Sequence, residues 1–87
     1  MIKVCIADSF PVVIEGLQSY LQNNSNIEII GTAKNLESLL TILDNKRCNV
    51  VILEVELDGL SSIRDIKNLL KDFPEIKIIL FTRVSEQ

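Results

Sequence analysis

The 87-residue sequence contains no histidine, no tryptophan and only two cysteines. Without histidine the chain lacks the commonest general base and a principal metal ligand, and Cys5 and Cys48 form no metal-ligand spacing. Both thiols are expected to lie in the core. Aromatic residues make up only 5% of the chain, so burial has to come from aliphatic packing. No apolar run exceeds four residues (Val50 to Leu53, Ile78 to Phe81), whereas about 20 are needed to cross a bilayer. Met1 leads directly into Ile2-Lys3-Val4, without the charged start, long apolar stretch and cleavage site of a secretory signal. The expected location is the cytoplasm, with no membrane contact. No G-x-G-x-x-G follows the first apolar run, and no Walker-type glycine-lysine loop occurs. The formal charge is −3 and no Lys/Arg cluster is present, which argues against this segment gripping a nucleic-acid backbone by itself.

What is present is a chain nearly half apolar, rich in Leu, Ile and Val, and long enough for one domain. Ile2 to Ala7 reads as a strand that stops at Asp8-Ser9-Phe10-Pro11. Val13, Ile14, Leu17, Tyr20 and Leu21 then recur at helical spacing until Asn23-Asn24-Ser25-Asn26. A second strand is expected at Ile27 to Gly31. Asn35 is a plausible cap for a helix carrying Leu36, Leu39, Leu40 and Leu43 on one side. Val50 to Leu53 is apolar without alternation, as a strand covered on both faces should be. After a loop from Glu54 to Leu60, Ser61 or Ser62 can cap a helix whose Ile63, Ile66, Leu70 and Phe73 share a face and which ends at Pro74. A fourth strand is expected from about Ile76 to Thr82.

Strands alternating with helices of this length imply right-handed crossovers and a parallel sheet with helices on both faces. In such an α/β sheet, polar residues at the carboxyl ends of the strands share one crevice where ligands bind. Asp8, Ser9, Glu54 and Thr82 occupy such ends. Plainer roles stand beside this one: Asp8 and Ser9 as a helix-start device, Glu54, Glu56 and Asp58 as a solvated acidic loop, Thr82 as an ordinary strand-end threonine.

Four segments in order resemble the receiver domain of bacterial two-component response regulators, most closely the NarL/LuxR-type group. IKVCIADSFPVVIE (2–15) is similar to the family's first strand, acidic pair and first helix. IEIIGTAKNLESLL (27–40) resembles its second strand and helix. CNVVILEVELDG (48–59) resembles the phosphoacceptor strand and loop, and DFPEIKIILFT (72–82) the helix end and switch strand. The resemblance implies a flavodoxin-like doubly wound sheet with strand order 2-1-3-4-5, here incomplete, because the family's further helix, strand and helix have no counterpart. Residues 1–87 are thus expected to form a truncated receiver domain within a longer protein, or one that completes itself by pairing with another chain, since the fourth strand would be an apolar edge.

The resemblance also implies phosphoryl transfer from a histidine kinase to an aspartate, supported by Mg²⁺, whose octahedral shell wants hard oxygen ligands. Carried over by position, Asp8 and Ser9 match the acidic pair, Glu54 the phosphoacceptor, Glu56 the position whose carbonyl ligates metal, and Thr82 the switch hydroxyl. Ser9 replaces an anionic ligand with a neutral hydroxyl, so Mg²⁺ should bind weakly if at all, through Asp8, Glu54 and Glu56. Glu54 sets its carboxylate one methylene farther out, a displacement that can cost orders of magnitude in rate. It could instead imitate a phosphorylated aspartate with one charge where phosphate carries nearly two, or mark a degenerate pocket. Asp58, where the family usually has proline, and Arg83, where it has a small residue, would modify the pocket.

The expected function is therefore that of an atypical receiver of a two-component-type transcriptional regulator, not an enzyme, acting by protein contacts. Its partners would be a second copy, an output domain or a histidine kinase, with DNA reached only through a helix-turn-helix domain beyond Gln87. Alternatives are a phosphoacceptor that uses another pocket acid, such as Asp8 or Asp58, and a stand-alone adaptor that binds a kinase or regulator.

Overall fold

The computed structural model describes residues 1–82. In chain order the elements are β1 (Ile2–Ala7), α1 (Pro11–Leu21), β2 (Ile27–Ala33), α2 (Leu36–Asn45), β3 (Val50–Glu54), α3 (Ile63–Asp72) and β4 (Lys77–Phe81). The four strands form one sheet in the order β2-β1-β3-β4, every neighbour parallel. This is the flavodoxin-like order expected from the sequence.

Alternation along β1 divides the core in two. Val4 and Ile6 point to the face covered by α1, where Ile14, Leu17 and Leu21 meet Ile27, Ile29, Val50 and Ile52. Cys5 and Ala7 point to the opposite face, where Leu39 and Leu43 of α2 and Ile66 and Leu69 of α3 close over Val51 and Leu53. Both cysteines are buried on this second side. No helix among the described residues is long and apolar enough to cross a membrane.

The helix starts follow local chemistry. Asn35 caps α2 by accepting from the Ser38 N–H at 2.7 Å. Ser62, not Ser61, caps α3: its hydroxyl oxygen accepts from the Arg64 N–H at 3.2 Å, while Asp65 Oδ2 accepts from the Ser61 and Ser62 N–H groups at 2.7 and 3.2 Å. These bonds hold the Asp65 carboxyl below its usual range, the Ser61 backbone and hydroxyl donors contributing most. At α1 the cap position is Phe10, without a side-chain cap, and Pro11 occupies the first turn.

Three expectations are corrected. Strand β2 continues past Gly31 to Ala33, because the register shifts between Val4 and Cys5 and the pairs Ile6↔Thr32 and Ala7↔Ala33 extend the ladder. Gly31 is there for clearance: a Cβ would sit 3.1 Å from Ile42 Cδ1 of α2. Tyr20 is 80% exposed and lies off the α1 stripe, since 100° per residue carries it well to one side of Ile14 and Leu21. In α3 the buried line is Ile66 and Leu69 with Phe73 partly buried, while Ile63 and Leu70 are exposed. Two adjacent leucines could each serve a helical stripe, and the setting of the helix on the sheet chose Leu69.

Candidate functional site

The carboxyl ends of the strands bring the expected residues to one edge of the sheet, but in unequal roles. Asp8 follows β1 and extends its ladder, its N–H donating to the Ala33 carbonyl at 2.9 Å. The side chain is fully buried. Asp8 Oδ1 accepts from the Phe10 N–H at 2.8 Å, and Oδ2 is buried without a hydrogen-bond partner among the described residues. The helix-start role is thus carried by one carboxylate oxygen only, one residue ahead of α1.

Glu54 ends β3. The β1–β3 register runs to Ala7↔Leu53, so Asp8 and Glu54 are the next residues along two neighbouring strands, whose spacing is roughly 4.8 Å. Glu54 is as fully buried as Asp8, which removes it from any solvated acidic loop. Its backbone carbonyl accepts from the Leu57 N–H at 3.1 Å, and the Val55 N–H donates to the Phe81 carbonyl at 3.1 Å, so the chain turns immediately after the acid. Glu56 and Asp58 have exposed side chains, with Leu57 between them 1% exposed. The loop is therefore anchored by an apolar side chain and shows its acids to solvent. Thr82 is exposed, one residue beyond the register pair Glu54↔Phe81. Arg83 lies outside the described residues.

The Ser9 side chain joins the loops that follow β2 and β3. Its hydroxyl donates to the Lys34 carbonyl at 3.1 Å and accepts from the Asp58 N–H at 3.0 Å. The Asp58 carbonyl in turn accepts from the Leu36 N–H at 2.7 Å, and Asn35 and Asp58 form an isolated parallel bridge. Gly59 follows with φ +93°, and a Cβ there would stand 2.9 Å from Leu36 Cβ. Only glycine makes this turn and this approach without strain. The Lys34 carbonyl and the Asp58 backbone were not legible in the sequence, because main-chain atoms carry no residue-type signal. Gly59 after an acidic loop was the one cue.

Deeper on the same side, burial pushes the Cys5 thiol up to about 12, with Cys48 adding to the effect and Lys46 opposing it. Cys48 is raised as well, again chiefly by burial. Both are protonated, unreactive core groups at neutral pH.

Comparison with known proteins locates this geometry. The chain matches the response regulator receiver domain over residues 4–87. It is 28% identical over 85 residues to the uncharacterized transcriptional regulatory protein YhcZ of Bacillus subtilis, covering 98% of this chain and 40% of that protein. It is 33% identical over 89 residues to a protein-glutamate methylesterase/protein-glutamine glutaminase of Clostridium acetobutylicum, covering 99% of this chain and 25% of that one. Among solved structures, the non-phosphorylated receiver domain of the stress response regulator RcsB from Escherichia coli superposes with a TM-score of 0.90 at 25% identity, over 98% of this chain and 67% of that one. RcsB from Salmonella enterica serovar Typhimurium, bound to a promoter in the presence of phosphomimetic BeF3⁻, gives 0.89 at 25% identity, over 98% and 49%. The chain thus spans 40% or less of the length of the two curated relatives named here.

Proposed function

Because the chain belongs to the response regulator receiver domain family, we propose that it is an atypical receiver that signals through protein contacts and does not carry a phosphoryl group. The observation that supports this most is the state of Ser9: the hydroxyl in the metal-ligand position is neutral and spends its proton on the Lys34 carbonyl. Glu54, in the acceptor position, is fully buried, which limits approach of a phosphodonor.

The donor set fits a resident Mg²⁺ poorly. Mg²⁺ demands near-ideal octahedral oxygen geometry and relies on carboxylates, whereas Ser9 is committed to two backbone groups. No three His, Cys, Asp or Glu side chains converge as a metal group among the described residues.

A relative named as a transcriptional regulatory protein, and a relative solved on promoter DNA, support placing this chain in a cytoplasmic transcriptional regulator whose DNA contacts belong to another domain. The chain itself is read as a non-enzymatic module whose partners are a second copy, an output domain or a histidine kinase. The test is to incubate the protein with Mg²⁺ and acetyl phosphate and weigh it intact. An unchanged mass is expected; a stoichiometric phosphate adduct would falsify the proposal. Mapping such an adduct to Asp8 or Asp58 would establish the alternative of a displaced acceptor.

A further inference from the structure

Ser9 joins three loops through one oxygen atom. The loop after β1 holds the residue itself, the loop after β2 offers the Lys34 carbonyl, and the loop after β3 offers the Asp58 N–H. A hydroxyl has one proton to donate and lone pairs to accept with, and Ser9 uses both capacities. Asp58 is tied a second time through its carbonyl, which accepts from Leu36 N–H at 2.7 Å. The first residues of α2 and the loop after β3 are thereby locked together, with Ser9 as the side chain that closes the link.

A carboxylate at this position could accept from Asp58 but could not donate to Lys34. It would set an anionic oxygen about 3 Å from a carbonyl oxygen, two acceptors facing each other with no proton between them. Only a cation placed between such atoms would turn the repulsion into attraction. We propose that Ser9 is an ion-free clasp: its hydroxyl holds the three loops in the closed arrangement without a divalent cation, so that the geometry of this edge does not respond to metal. The inference rests on the atypical-receiver reading and deepens it, by naming the residue that makes the loop arrangement independent of metal.

The clasp is tested by amide hydrogen exchange of residues 55–62 in the 87-residue chain, with excess Mg²⁺ and with chelator, and with no phosphodonor present. In the wild type, protection of the Asp58 amide is expected to be the same in both conditions. Ser9→Ala should speed its exchange roughly tenfold in both, as expected for losing two hydrogen bonds, and Ser9→Thr, which keeps the hydroxyl, should stay within about threefold of wild type. Ser9→Asp should exchange fast in chelator and recover with Mg²⁺. Protection in the wild type that rises with Mg²⁺, or unchanged protection in Ser9→Ala, overturns the clasp. The wild-type and Ser9→Ala measurements decide the matter even where Ser9→Asp does not fold. A phosphate adduct in the separate mass experiment would sink the atypical-receiver reading and leave these exchange results standing on their own.

Discussion

Residues that look alike in sequence separate once burial is known. Glu54, Glu56 and Asp58 form one acidic run, yet Glu54 is fully buried while the other two face solvent. If Glu54 supplies standing negative charge in place of a phosphoryl group, Glu54→Gln should reduce partner binding or transcriptional output severalfold, measured in the full regulator. Unchanged output would mark the position as degenerate. Gly59 makes a sharper structural prediction. Its φ of +93° and the 2.9 Å approach of a Cβ to Leu36 mean that Gly59→Ala should destabilise the domain by about 1–3 kcal/mol in chemical unfolding. Cys5 predicts a pH dependence. Its folded-state value of about 12 lies above the ordinary 9.0, so the folded state holds the proton more tightly. The associated stability is complete below about pH 9 and is lost as pH rises toward 12. Thermal midpoints should fall through that window, and Cys5→Ala should flatten the decline.

At the scale of elements, the helices differ in how they begin. Helix α3 rests on the reciprocal bonds of Ser62 and Asp65, so Ser62→Ala should cost about 1 kcal/mol. Asp65 is held below 3.8, so its contribution is present above that value and fades as pH falls through the lower folded-state value. An acid titration of Asp65→Ala beside the wild type should converge at the acidic end. Helix α2 depends on packing: Leu39 is fully buried against the sheet, and Leu39→Ala should cost about 2–5 kcal/mol. The α2 stripe of Leu36, Leu39, Leu40 and Leu43 was legible because alternating spacings of three and four define a single face. The α3 stripe was misread at Ile63 and Leu70, both exposed; Leu69 and Leu70 satisfy the same periodicity, and the choice between them belongs to the packing of the helix on the sheet.

For the whole molecule, the sheet has β2 and β4 at its edges. Strand β4 leaves Ile79 55% and Leu80 44% exposed, and among the described residues it pairs with β3 alone. A strand of this kind offers unpaired main-chain groups and apolar side chains together. The isolated 87-residue polypeptide is expected to self-associate with rising concentration, which sedimentation velocity would reveal; a monomer throughout would show that the edge is protected.

The alternation of apolar runs with helical stripes determined the order of elements, and right-handed crossover connections then left few ways to arrange a parallel sheet. The same pattern set Asp8, Ser9, Glu54 and Thr82 at strand ends. The pattern alone therefore placed these four residues at strand ends, and left unread the Lys34 carbonyl and the Asp58 backbone that meet Ser9 there. What each does there was decided by tertiary structure, because burial of Glu54 and commitment of Ser9 depend on atoms from distant parts of the chain: Lys34 and Asp58 lie 25 and 49 residues from Ser9. Hydrogen-bond partners on the main chain leave no mark in residue type, so Ser9 read from sequence is a missing ligand, and in the folded protein it is the link between three loops.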